Sequence, residues 1–146
     1  MTWQPCDDTA RKVSPTEVSL TPDPPVIGGS AQFDIIANSE EDIIKSGTVD
    51  ITISFAGVDI FSKSDDLCDK AACPILKGPT KVTLVELLPP IAPPGDYGLK
   101  LVAKGSDSSE LLCLLVNFEL VMPEGGEAVD ALRVTVSGKE GFSTSA

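Results

Sequence analysis

Along most of this chain apolar and polar residues alternate with a period of two, in short runs broken by proline and glycine. Val49, Ile51, Ile53 and Phe55 alternate with Asp50, Thr52 and Ser54, which in an extended backbone sends one set to each face of a sheet. Phe33 and Ile35 alternate with Gln32 and Asp34, and Tyr97, Leu99, Leu101 and Ala103 alternate with Gly98, Lys100 and Lys104, although Val102 interrupts the polar face. Leu112, Leu114, Val116, Phe118 and Leu120 form one face of a last long strand. Val18 and Leu20 mark a shorter first strand, and the stretch from Val82 to Leu87 is a strand whose register the pattern leaves open. Pro22-Asp23-Pro24-Pro25, Gly28-Gly29, Pro89-Pro90, Pro93-Pro94-Gly95 and Gly105-Ser106-Asp107 punctuate these runs as turns. At Ala56 and Gly57 the inward parity passes from Phe55 to Val58 and Ile60, which predicts a bulge or a tight turn. About seven short strands with turn signals between them predict an all-β protein, an immunoglobulin-like antiparallel β-sandwich.

The chain has 146 residues, enough for one domain with a tail. Its 22 acidic residues against 11 basic ones give a net charge of −11, which argues against nucleic acid as a partner. It has no histidine, so Ser-His-Asp and Cys-His nucleophiles and histidine metal sites are all excluded. The neighbouring acids Asp65 and Asp66, and Glu40 and Glu41, are simplest as solvated loop charges, so no enzyme is expected. The longest apolar run, Leu111 to Val116, is far shorter than the roughly 20 residues of a membrane-spanning helix. The first residues lack the basic and apolar regions of a signal peptide. The expectation is a mature secreted or lumenal chain, with the signal peptide absent from it. Residues 122–146 read as an extension: a linker around Pro123 to Glu127, a candidate edge strand at 131–137 where Leu132, Val134 and Val136 alternate with polar residues, and a flexible end. An added edge strand is a natural docking device, so the extension is a candidate contact for a protein partner.

Four cysteines allow three disulfide connectivities. Cys68 and Cys73 enclose only Asp69 to Ala72, a loop short enough to close on itself, which leaves Cys6 to reach Cys113. One close pair without a second matches no zinc module, and no metal or other cofactor is expected.

Read in order, Cys6, the segment Thr21-Pro22-Asp23-Pro24-Pro25-Val26-Ile27-Gly28-Gly29, the run Asp66-Leu67-Cys68 with Cys73-Pro74, then Pro93-Pro94-Gly95-Asp96-Tyr97 and Leu112-Cys113 resemble the ML lipid-recognition domain. That family includes the Niemann–Pick lysosomal sterol carrier, the group-two mite allergens and the phosphatidylglycerol/phosphatidylinositol transfer proteins. The resemblance covers residues 4–121 and implies the same pairs, Cys6 with Cys113 and Cys68 with Cys73. The Pro-rich stretch after Thr21 holds no cysteine, so the third disulfide of the animal sterol carriers has no counterpart, which tilts the likeness toward the plant and fungal phospholipid-transfer branch. The resemblance implies sheets that splay around an apolar cavity, and a non-enzymatic carrier that binds and transfers a phospholipid or sterol.

Candidate cavity residues are then Phe33, Ile35, Ile51, Ile53, Phe55, Val58, Ile60, Leu84, Ile91, Tyr97, Leu99, Leu101, Leu114, Val116 and Phe118. Each could equally be ordinary core, although an aromatic content of only 5% favours room over filling. The acids Asp34, Asp50, Asp59 and Glu119 fall on the outward parity of their strands, as a dry interior requires. Residues 61–77 and 87–97 are read as the rim. In the second of these, Leu88 to Pro94 is apolar enough to touch a membrane transiently, and Lys63, Lys70, Lys77 and Lys81 are the candidates to meet a headgroup phosphate. The alternative reading is an accessory protein-interaction module, a sandwich with a filled core.

Overall fold

The computed structural model describes residues 1–123, so the linker beyond Pro123, the candidate strand at 131–137 and the flexible end lie outside the described residues. Eight strands and one short helix follow one another: β1 (Thr2–Pro5), β2 (Val13–Thr21), β3 (Ser30–Ile44), β4 (Gly47–Phe55), β5 (Val58–Asp66), α1 (Leu67–Lys70), β6 (Ile75–Leu87), β7 (Gly95–Gly105) and β8 (Glu110–Leu120). A five-stranded sheet ordered β1-β8-β7-β4-β5 faces a three-stranded sheet ordered β2-β3-β6, and the strand pairs within both are antiparallel. Seven of these strands are those the alternation predicts. The eighth, β1, is four residues paired to β8 alone and ends on Pro5, too short to show a period.

Register explains the core. Ile51, Leu101 and Leu114 stand in one row across β4, β7 and β8, and Ile53, Leu99 and Val116 in another. Opposite them Phe33 pairs with Leu84 and with Leu20, and Ile35 with Val82 and with Val18. Val82 and Leu84 therefore point inward, which fixes the register of β6, and Val85 and Leu87 lie exposed on its other face. The parity change after Phe55 is a two-residue turn: Ala56 and Gly57 have φ of 51° and 84°, the left-handed pair that a tight hairpin requires. The bulge lies within β5, where Ile53 faces Phe61 but Ser54 faces Asp59.

The two sheets leave two long sides between them. On the β2 side the chain passes from β1 to β2 just after Cys6, which is disulfide-bonded to Cys113 of β8 with a Cα–Cα distance of 5.4 Å. Arg11 reaches Glu110 at the start of β8 at 3.1 Å. At the opposite end the β2–β3 loop is hydrogen-bonded to the end of β8: Ile27 N–H donates to the Val121 carbonyl at 2.9 Å, and Val121 N–H to that of Pro25 at 3.1 Å. On the β6 side the edge strands are β5 and β6, joined through α1 and the Cys68–Cys73 disulfide. The end holding α1 is called lower here, and the end holding the Ala56-Gly57 turn upper.

Candidate functional site

The interior is assembled from the inward rows of both sheets. Phe33, Ile35, Ile51, Leu84, Leu99, Leu101, Leu114 and Val116 are each 0 to 1% exposed, so no water-sized space touches them. Four of the chain's seven aromatic rings gather at the upper end: Phe33 meets Phe118 edge-on at 5.5 Å, Phe118 stacks on Tyr97 at 5.9 Å, and Tyr97 leans on Phe55 at 4.9 Å. The Tyr97 hydroxyl donates to the Pro93 carbonyl at 2.7 Å, tying the rings to the proline-rich β6–β7 connection. Burial raises the Tyr97 pKa. Below the rings the interior is aliphatic apart from Ser39 of β3, which is 1% exposed. The hollow expected between the sheets is thus closed by side chains here. Two concavities of about 480 and 400 Å³ both lie elsewhere, the first on the outer face along Thr2, Asn117, Gly98 and Ser54, the second at the lower end beside Lys45 and Gly105.

The candidate lining residues divide three ways. Those eight, with Tyr97 and Phe118, are buried between the sheets, and Ile53 and Phe55 are half-buried against them. Val58, Ile60 and Ile91 are not interior: they are 65%, 56% and 91% exposed. Val58 does share the inward face of Phe55, but on an edge strand no neighbour covers it. Ile60 sits at the bulge, and Ile91 stands in the middle of the β6–β7 connection. With Leu87 and Met122 these three form an exposed apolar crown at the upper end. The charged side chains around it, Asp23, Asp59, Asp96 and Glu119, are acidic, and the N-terminal ammonium lies 3.3 Å from Asp23.

The rim needs the larger correction. Residues 61–77 and 87–97 do not border one opening: the first descends β5 to α1 and the second crosses the upper end. The four lysines separate accordingly. Lys77 is exposed near the lower end, and Lys81 lies on the outer face of β6, 3.8 Å from Asp34. The Asp34 carboxyl is partly desolvated, yet hydrogen bonds from Gln32 and Thr83, with Lys81 nearby, hold its pKa below the usual range. Asp50, also outward, is lowered by hydrogen bonds from Ser64 and Lys104.

Lys63 and Lys70 do come together. Lys63 faces Ile51 across the β4–β5 ladder, so it points inward from the edge strand, and Asp65, facing Val49, does the same. Glu86 faces Ala31 and points inward from β6. Lys63 Nζ lies 3.2 Å from Glu86 Oε2 and 3.5 Å from Asp65 Oδ2, and Lys70 Nζ lies 3.6 Å from that same Asp65 oxygen. Both carboxylate oxygens are buried without hydrogen bonds, so the contacts are ionic ones. Burial works against the Lys63 ammonium, but Glu86 and Asp65 outweigh it and the pKa is raised. Sequence reasoning missed Asp65 and Glu86. The signal was present for Glu86, which shares the parity of Val82 and Leu84 once the register is known.

Comparison with known proteins adds the following. A family model for the ML domain matches residues 1–120. A phosphatidylglycerol/phosphatidylinositol transfer protein of Neurospora crassa is 30% identical over 118 residues, which cover 75% of this chain and 67% of that one. Among solved structures, a Niemann-Pick type C2 protein from the Japanese carpenter ant superposes with a TM-score of 0.65 at 10% identity, covering 82% of this chain and 99% of that one. Chicken MD-1, solved in complex with lipid IVa, superposes at 0.51 and 19% identity, covering 80% and 85%. The two structural likenesses are likenesses of fold.

Proposed function

The chain belongs to the ML-domain family, and from that premise we propose that it is a non-enzymatic carrier that takes a lipid between its sheets and transfers it between membranes. The observation that carries the reading is the dryness of the inward rows away from the β5 and β6 edges, combined with a sandwich tied by backbone hydrogen bonds and a crossing chain on its β2 side. A lipid leaving a bilayer loses about 0.8 kcal/mol for each methylene that water then touches, so its new surroundings must be apolar throughout. The rows around Ile51, Leu99, Leu101, Leu84 and Ile35 are such surroundings. Acyl chains would enter as the sheets part along the β6 side and the aliphatic side chains repack around them.

The name of the fungal relative supports a phospholipid as the cargo, with a sterol, which the family resemblance of the sequence also implies, as the alternative. Docking on the donor membrane falls to the upper crown, where Leu87 and Ile91 are 83% and 91% exposed. Around the crown four carboxylates outnumber the single N-terminal ammonium paired with Asp23, so it suits an uncharged or zwitterionic surface better than an anionic one. Two disulfides suit an oxidising compartment, and we place the protein in a secreted or lumenal setting.

The closed interior favours a second reading, the accessory module with a filled core. One experiment separates the two. The purified protein is incubated with vesicles of phosphatidylcholine and phosphatidylglycerol carrying a fluorescent acyl chain, and is then examined by native mass spectrometry. A complex with one lipid per chain, and transfer to acceptor vesicles, is the expected result. Folded protein that neither carries nor moves lipid would leave the module reading standing.

A further inference from the structure

The charged cluster on the β6 side lies where a carrier of this kind must open. Of its three ionic contacts, Lys63 with Asp65 stays within β5 and Lys70 with Asp65 joins α1 to β5, the strand that precedes it. The third, Lys63 with Glu86, crosses from the edge of one sheet to the edge of the other. It does so from the inward faces, with side chains 31% and 15% exposed, across the side that among the described residues lacks the backbone ties of the β2 side. Asp65 holds both ammonium groups on the β5 side whatever Glu86 does. Glu86 lies on the edge strand β6, with its side chain 15% exposed.

We propose that Glu86 occupies the place of a lipid phosphate: its carboxylate latches the two sheet edges together through Lys63, and an anionic phosphodiester headgroup opens the latch by taking Glu86's place on Lys63, with Lys70 as the second cation. The inference rests on the carrier reading and deepens it by naming the charge class of headgroup and the residue that competes with it. The exchange is balanced in charge, because one monoanion replaces another and the displaced carboxylate becomes hydrated. A zwitterionic headgroup such as phosphocholine carries the same phosphodiester but brings its own quaternary ammonium, which partly cancels the phosphate's field at Lys63, so it displaces Glu86 less readily. Preference for anionic lipid would thus arise in an acidic protein from an internal rival, without any basic surface patch.

Glu86→Gln and Lys63→Gln separate latch from headgroup site. Stopped-flow uptake of fluorescent phosphatidylglycerol or phosphatidylcholine, each from vesicles of phosphatidylcholine, is compared with amide hydrogen exchange of the lipid-free protein. Glu86→Gln frees Lys63, so phosphatidylglycerol uptake should rise about fivefold, as expected for loss of a partly exposed ion pair. Lys63→Gln also opens the latch and should speed phosphatidylcholine uptake, but the preference for phosphatidylglycerol should vanish. Lys63→Arg should keep it. Both glutamine variants should exchange faster at β5 and β6 and unchanged at β2 and β8. Wild-type rates, wild-type lipid preference and wild-type exchange in both variants would overturn the proposal while leaving the carrier intact. Absence of uptake in every form, wild type included, would instead overturn the carrier reading and the headgroup exchange with it, and the exchange pattern would then report on the latch alone.

Discussion

The β2 side and the β6 side of this sandwich close the same gap between sheets with different kinds of bond. On the β2 side the ties are backbone hydrogen bonds between Pro25, Ile27 and Val121 and the Arg11–Glu110 pair, while the Cys6–Cys113 disulfide anchors the start of the crossing chain to β8 within the five-stranded sheet. Their backbone donors and acceptors have fixed directions, and separating them would leave buried polar groups unmade. On the β6 side the crossing contact is one ion pair between flexible side chains, of the kind worth about 0 to 1 kcal/mol when partly exposed. A sandwich built this way has a spine and a mouth, and its stability and its function should answer to different residues.

The largest effect should come from cutting the spine. Cys6 and Cys113 are 107 residues apart, whereas Cys68 and Cys73 at the lower end of the mouth side are 5 apart. In the chain-entropy account the long link contributes about 4 to 5 kcal/mol and the short one about 2. Replacing both cysteines of the long pair by serine should lower the melting temperature roughly 10 to 20 °C, and the same change in the short pair less than half as much. Equal losses in thermal denaturation would mean that the spine is not where the fold is secured.

Next in size is the hydrogen-bonded tether at the upper end. Val121→Pro removes the N–H that donates to Pro25 and should cost about 1 to 3 kcal/mol in chemical denaturation. Lipid uptake should stay at the wild-type rate, because the tether is on the spine. If Val121→Pro speeds uptake as much as Glu86→Gln does, the two sides are interchangeable and the distinction between them fails.

How much of this the sequence discloses depends on where each residue sits in its strand. Central strands such as β4, β7 and β8 are buried on one face, and their alternation alone is enough to name Ile51, Leu101 and Leu114 as interior. Edge strands obey the same period, but parity there does not imply burial. Val58 faces inward and is still exposed, while Lys63 and Asp65 face inward and are charged. The bulge at Ile60 shifts the register again, and no local signal marks it. The candidate site lies on two such edges. Lys63 and Lys70 are visible in the sequence as cations, but Glu86 becomes the partner of Lys63 only through the pairing of β6 with β3. Low aromatic content suggests an open cavity only if the few rings are spread through the interior. The structure instead gathers four of them into one cluster at the upper end and fills the rest with aliphatic side chains.

The smallest expected effect is a difference in how the two sides respond to pH. On the spine, hydrogen bonds from Arg11 and from the Thr9 N–H lower the Asp7 pKa from 3.8 to about 2. A folded pKa below the unfolded one gives stability that is present above the unfolded value and is lost as pH falls toward the folded one. On the mouth side the Lys63 pKa is raised, so its contribution is present below the ordinary lysine range and lost above it. Acid therefore loosens the Arg11 anchor, and alkali the Lys63 latch. Asp7→Asn isolates the first: its melting temperature should lie below wild type by a constant margin from neutral pH down to about 5, and the margin should close between about 4 and 2. Because the Asp7 side chain is exposed, that margin should shrink in high salt. A margin that persists unchanged at a pH of about 2 would assign the loss to packing around Arg11 and remove the carboxylate from the spine.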